Sequence, residues 1–114
     1  MEKVKQTKTA KFNVDELVEL IYDTATGCYG IVGICDKDID GKKANPLEKN
    51  RAKKGIIFNG SIDKGFTLSI YVILSSEVKI SESIRECQKA IRYVANKKAN
   101  HKCEKVDIYA MAII

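Results

Sequence analysis

The sequence predicts an α+β domain: a two-layer α/β sandwich whose mixed sheet carries two helices on one face and leaves the other face open. Three stretches predict it. In residues 66–74, Phe66, Leu68, Ile70, Val72 and Leu74 share one face, because side chains alternate along a strand. From Ile80 to about Lys98, Ile84, Cys87, Ile91, Val94 and Ala95 recur at helical spacing. In residues 105–114 the alternation returns, with Val106, Ile108, Ala110, Ala112 and Ile114 on one face. A strand, a helix and a strand with matching apolar faces bury a common core. The full predicted order is strand, helix, strand, strand, strand, helix, strand. It comes close to a ferredoxin-like arrangement, with the glycine-rich segment after the first helix as the extra or irregular strand.

Taken in order, residues 1–10 are polar, basic and aperiodic, and read as a flexible tail or the approach to a short strand around residues 9–12. Residues 11–114 read as one domain. The first helix opens at Asn13, a good N-cap, with Glu16 placed to close a capping box and Phe12 and Leu17 placed as a hydrophobic staple. Val14, Leu17, Val18, Leu20, Ile21 and Ala25 fall on one broad face, and Asp15, Glu16, Glu19 and Asp23 fall opposite. Gly27 is its natural stop. Residues 29–35 follow as a short strand weakened by glycines.

Residues 36–54 are polar, hold the only proline, Pro46, and read as a mobile basic loop. Between Gly41 and Gly55, six cations (Lys42, Lys43, Lys49, Arg51, Lys53, Lys54) face Glu48 alone, a surplus equal to the net charge of the whole chain, +5. Residues 55–60 read as a strand ending in an Asn59-Gly60 turn, so this strand and the one from Phe66 form an antiparallel hairpin. The second helix starts near Ser81 or Ser83, where Ser83 and Glu86 have capping-box spacing, and ends among cations that suit the negative pole of its dipole.

Composition bounds the function. At 114 residues, 45% hydrophobic and 31% charged, the chain is long enough to bury a core and is not of disordered composition. The N-terminal residues lack the apolar run of a secretory signal, and the most apolar run, residues 66–74, is too short to span a bilayer. The expectation is a cytoplasmic protein, at most peripheral at a membrane through a partner. In a reducing compartment Cys28, Cys35, Cys87 and Cys103 are expected as free, mostly buried thiols.

No catalytic constellation is visible, and the expectation is a non-enzyme without metal, cofactor or small-molecule substrate. Asp36, Asp38, Asp40 and Gly41 copy the opening of a calcium loop, but Leu47 stands where its bidentate Glu belongs. The cysteines and His101 lack zinc-ligand spacing. Gly27, Gly30 and Gly33 follow a helix and lack a phosphate-loop lysine, so they read as a closely packed chain passage.

Two surfaces remain. Arg85, Lys89 and Arg92 line one flank of the second helix, as a solvated face or as a grip on phosphates or anionic headgroups. The open sheet face is expected to carry Thr67, Ser69, Tyr71 and Ile73 from one strand and Asp107, Tyr109, Met111 and Ile113 from another. Tyr71, Ile73, Tyr109, Met111 and Ile113 form a partly apolar candidate partner surface, unless the chain itself covers them.

Residues 12–33, with Phe12-Asn-Val-Asp-Glu-Leu-Val and Ala25-Thr-Gly-Cys-Tyr-Gly-Ile-Val-Gly33, resemble the opening of the alkaline shock protein family, which has a short strand, a helix and a Glu-Gly-Val-x-Gly-like turn. Ile80-Ser-Glu82-Ser-Ile-Arg85-Glu-Cys-Gln88 resembles that family's Ile-Pro-Glu-Val-x-x-x-Ile-Gln helix start, and Val106-Asp-Ile-Tyr-Ala-Met111 its closing strand. The chain departs from the pattern at Ser81, where proline is usual, at Tyr29, where Glu precedes the glycine, and in the long basic segment 36–54. The resemblance implies a small protein of envelope stress response and cell-envelope homeostasis in Gram-positive lineages. It implies action through self-association or a protein partner, including a membrane-anchor protein, and assigns no catalytic residue. The alternative reading is a small basic RNA-binding module, with sheet tyrosines stacking bases, although the aromatic strand signature of such modules is missing.

Overall fold

The computed structural model describes residues 13–38 and 44–114. The expected tail and first strand lie outside the described residues, as do Phe12, Asp40 and the lysines at 42 and 43. The elements are α1 (Val14–Thr26), β1 (Ile31–Ile34), a 3-10 helix (Lys49–Lys54), β2 (Ile56–Ser61), β3 (Gly65–Leu74), α2 (Ile80–Lys98) and β4 (Cys103–Ile113). The fold is α+β, as the sequence predicts.

β3 is the spine of the sheet. β2 pairs antiparallel with its first part, from Ser61 opposite Gly65 to Ile56 opposite Ile70. β1 pairs antiparallel with its last part, Ile34 opposite Val72 and Ile31 opposite Leu74. Between them, Tyr71 N–H donates to the Gly55 carbonyl and the Tyr71 carbonyl accepts from Cys35 N–H, both at 2.9 Å. A strand residue directs its N–H and C=O to the same edge, so β1 and β2 lie end to end along one edge of β3. β4 runs parallel to β3 on the other edge, which makes the sheet mixed.

Both helices pack on one face. Leu17, Val18, Ile21 and Ala25 of α1 and Cys87, Ile91 and Ala95 of α2 share a single core cluster with Phe66, Leu68, Ile70, Val72 and Leu74 of β3. α1 begins as its sequence dictates: Glu16 N–H donates to Asn13 Oδ1 at 2.9 Å and Asn13 N–H to Glu16 Oε1 at 3.2 Å. α2 spans Ile80–Lys98 as its periodicity predicts, but the expected Ser83/Glu86 capping box is corrected. It begins at Ile80 with Lys79 as N-cap and no side-chain cap, and Ser83 lies inside the helix, buried. The reason is at Gly30, whose φ of +90° bends the chain so closely over the first turn of α2 that a Cβ would meet Ser83 Oγ at 2.7 Å. Ser83 is thus a small, buried packing residue against Gly30.

Two further expectations are corrected. The Asn59-Gly60 pair lies within β2, and the turn falls at residues 62–64. The described part of the basic segment is structured. Residues 49–54 form the 3-10 helix, Ala52 is buried, Leu47 packs against the core, and Tyr22 Oη donates to the Leu47 carbonyl at 2.8 Å. Its cations meet the acidic face of α1: Lys49 Nζ lies 2.9 Å from Asp23 Oδ2, and Lys53 pairs with Asp15.

Candidate functional site

The uncovered face of the sheet holds the residues that alternate with the core. Thr67, Ser69 and Tyr71 of β3 are half-buried, and each pairs across the ladder with Lys105, Asp107 and Tyr109 of β4. The Tyr71 and Tyr109 rings stack with centroids 4.9 Å apart and planes 19° from parallel. Tyr109 remains 43% exposed. Two residues further, Met111 is 36% exposed.

Two members of the expected patch lie elsewhere. Ile73 is fully buried. Its pairing partner Gly33 has no side chain, and Pro46 fills the space where a Cβ of Gly33 would point, 2.8 Å away. Opposed strand residues present their side chains to the same face, so the returning 44–47 segment covers this end of the sheet. Ile113 changes sides. The β3–β4 register advances from Val72 opposite Ala110 to Ile73 opposite Ala112, which makes Met111 an extra, bulged residue. A one-residue shift exchanges the faces of a strand. Ile113 therefore pairs with Leu74 on the helix side, at the strand end, half exposed. The same bulge explains why Ile114 is exposed although the uninterrupted alternation places it with the core. Of the expected patch, the stacked tyrosine pair and Met111 remain on the open face, with half-buried Ile57 opposite Ser69 on the same face.

The basic flank of α2 is as the spacing places it. Arg85, Lys89 and Arg92 are all exposed. Lys89 lies only within 3.9 Å of Glu86, and among the described residues neither arginine has a carboxylate partner. The flank borders two shallow cavities. One, of about 370 Å³, is lined by Arg85, Gln88, Lys89 and Arg92 with β4 residues 104–107. The other, of about 600 Å³, adds Tyr93, Asn96, Lys97, Asn100 and His101. The sequence reading passed over Tyr93, which shares the flank's spacing one residue beyond Arg92 and is 65% exposed. An aromatic on the polar side of an amphipathic helix was the available signal.

The cysteines are free, with Cys35, Cys87 and Cys103 buried and Cys28 half-buried. Burial pushes the thiols of Cys35 and Cys103 up, and burial followed by hydrogen bonding with Cys28 pushes Cys87 up further. Asp36 and Asp38 are engaged locally: Asp38 N–H donates to Asp36 Oδ1 at 2.8 Å, and Lys37 pairs with Asp38. Among the described residues no group of three or more His, Cys, Asp or Glu side chains is placed to hold a metal ion. No helix among them is long and apolar enough to cross a membrane.

No family model matches the chain, and no solved structure matches it significantly. Two relatives match along nearly its whole length. The chain is 29% identical, over 92% of its length and 94% of the relative's, to the uncharacterized protein Spy1614 of Streptococcus pyogenes serotype M6. It is 25% identical, over 95% of its length and 92% of the relative's, to the uncharacterized protein YloU of Bacillus subtilis strain 168. The chain is thus a small protein with full-length relatives in Gram-positive bacteria.

Proposed function

We propose that this chain is a non-enzymatic interaction protein of the envelope stress and cell-envelope homeostasis type, working by self-association or by binding a protein partner at or near the membrane. The observation that carries the reading is the uncovered sheet face, where Tyr109 and Met111 stay exposed beside half-buried Tyr71. Such a face in an antiparallel or mixed sheet is normally polar or covered. Tyrosine and methionine are enriched where one protein meets another, because they bury much area and tolerate some water. The resemblance to the alkaline shock protein family and the Gram-positive relatives support the cellular setting.

The test is sedimentation of the wild type and of a Tyr109→Glu, Met111→Glu double variant. In a symmetric dimer each copy meets the same patch on its partner, so the new carboxylates repel across the interface. The variant is expected to shift toward monomer while keeping the native circular dichroism. A wild type that is monomeric at high concentration and that captures no anchor-type protein from its host overturns the reading.

A further inference from the structure

We propose that the groove along α2 is a second, separate binding site, and that its ligand is single-stranded nucleic acid. The argument begins with where charge is left over. On the other side of the helical layer, α1 supplies carboxylates to the 3-10 helix, through Asp23 to Lys49 and Asp15 to Lys53. Among the described residues, α2 does this for its own flank only at Lys89, 3.9 Å from Glu86. Its two carboxylates, Glu82 and Glu86, both lie in its first two turns, ahead of Lys89, Arg92 and Lys97. Cations in the last turn are explained by the helix dipole. Arg85, Lys89 and Arg92 lie earlier, at i, i+4 and i+7, and need another explanation.

The shape of the surface supplies one. Both cavities share Lys89 and Arg92, so they adjoin along α2. The larger part is lined by Lys89, Arg92, Lys97 and His101 and by no carboxylate. Tyr93 stands in it, with Lys97 Nζ 5.8 Å from its ring centroid. Asn96 is held by its oxygen: Oδ1 accepts from Cys103 N–H at 2.7 Å. Its amide N–H₂ is thereby left as a donor on the cavity wall. The groove ends at Asn100 and His101, two consecutive non-glycine residues with φ of 53° and 65°. This is the left-handed turn that closes α2, with His101 N–H donating to the Asn96 carbonyl at 2.8 Å.

Exposed cations, of which Arg85 and Arg92 have no carboxylate partner among the described residues, an exposed ring and the Asn96 amide donor match the three parts of a nucleotide: phosphate, base face and base edge. Single-strand readers combine these features, with cations along the backbone and aromatic rings under the bases. The second cavity extends the surface past Lys89 to Arg85, beside Glu104 and an Asp107 that pairs with Lys105, and this length favours a strand over a free nucleotide. The site is built from α2 and the start of β4 and uses none of the tyrosines on the sheet face.

Fluorescence anisotropy with a labelled single-stranded oligonucleotide of about eight residues tests this, a length within known single-strand site sizes. Binding is expected to weaken with salt, with a log–log slope of roughly −0.7 for each phosphate engaged. Lys89→Gln with Arg92→Gln should lower affinity at least tenfold and make the slope shallower by about 1.4. Tyr93→Leu should lose about tenfold, and Tyr93→Phe should retain binding, since stacking needs the ring and not the hydroxyl. All these side chains are exposed, so circular dichroism should not change. Lys49→Gln with Lys53→Gln removes the same number of charges outside the groove and should have a small effect. Three results would each overturn the proposal: no binding at physiological salt, equal losses from the two double variants, or equal affinity for a base-free polyphosphate.

Discussion

Replacing Gly30 by Ala puts the joint between the two layers under direct test. Gly30 has φ of +90°, and a Cβ there would lie 2.7 Å from Ser83 Oγ and 2.8 Å from Val78 Cγ2. Two costs follow. An L-residue held at positive φ costs about 1–2 kcal/mol. The overlap cannot be relieved by a simple rotation, because Ser83 is only 8% exposed within α2, and forced overpacking of this kind costs about 1–3 kcal/mol. The expected loss is therefore about 2–5 kcal/mol, a large share of the roughly 5–15 kcal/mol that holds a domain folded. Urea unfolding followed by circular dichroism should show a lower midpoint with an unchanged slope. Gly27→Ala is the control: its φ is −87° and its Cβ would meet Asp23 O at 3.3 Å, so it should change stability by no more than about 1 kcal/mol. Adding Ser83→Ala to Gly30→Ala removes the oxygen overlap and should restore part of the loss, leaving the backbone cost and the Val78 contact. A Gly30→Ala protein within about 0.5 kcal/mol of wild type would refute the reasoning. So would complete rescue by Ser83→Ala, which would mean that the positive φ costs nothing.

Ile73→Lys should unfold the domain or cost more than about 3 kcal/mol, because it buries an unpaired charge, whereas Ile113→Lys should stay within about 1 kcal/mol in the same urea assay. Asp15→Asn with Asp23→Asn, which leaves Lys49 and Lys53 unpaired, should cost about 1 kcal/mol or less at low salt and almost nothing at 1 M salt. Folded-state thiol values raised above the usual 9.0 at Cys35, Cys87 and Cys103 keep the proton in the folded state after the unfolded chain has released it. Stability should therefore be level below pH 9 and fall above it, by up to about 1.4 kcal/mol per pH unit and thiol. Urea midpoints between pH 8 and 10.5 would show this, and Cys87→Ala should flatten the fall. At pH 8 a thiol-reactive dye should modify half-buried Cys28 first, with the three buried thiols reacting only on unfolding.

The elements were legible because their signals are local. Asn13 and Glu16 close a capping box within one turn, and the stripe of α2 and the alternation of β3 up to Val72 are periodicities that backbone geometry imposes on any buried face. The α+β class and the one-sided placement of the helices follow from those faces having only each other to cover. What the sequence left open depends on contacts between distant segments. Pro46 covers Gly33, so Ile73 is core although its place in the alternation matches Tyr71. The bulge at Met111 is a property of the β3–β4 register, and it moves Ile113 to the other face with no trace in the composition of β4. The approach of Gly30 to Ser83 turns an apparent helix cap into a packing residue. The basic segment is anchored because α1 presents Asp15 and Asp23 to it. Periodicity fixes which side chains share a face of one element. Only the packing of elements decides whether another segment covers that face, because burial belongs to both partners and each sequence window holds one of them.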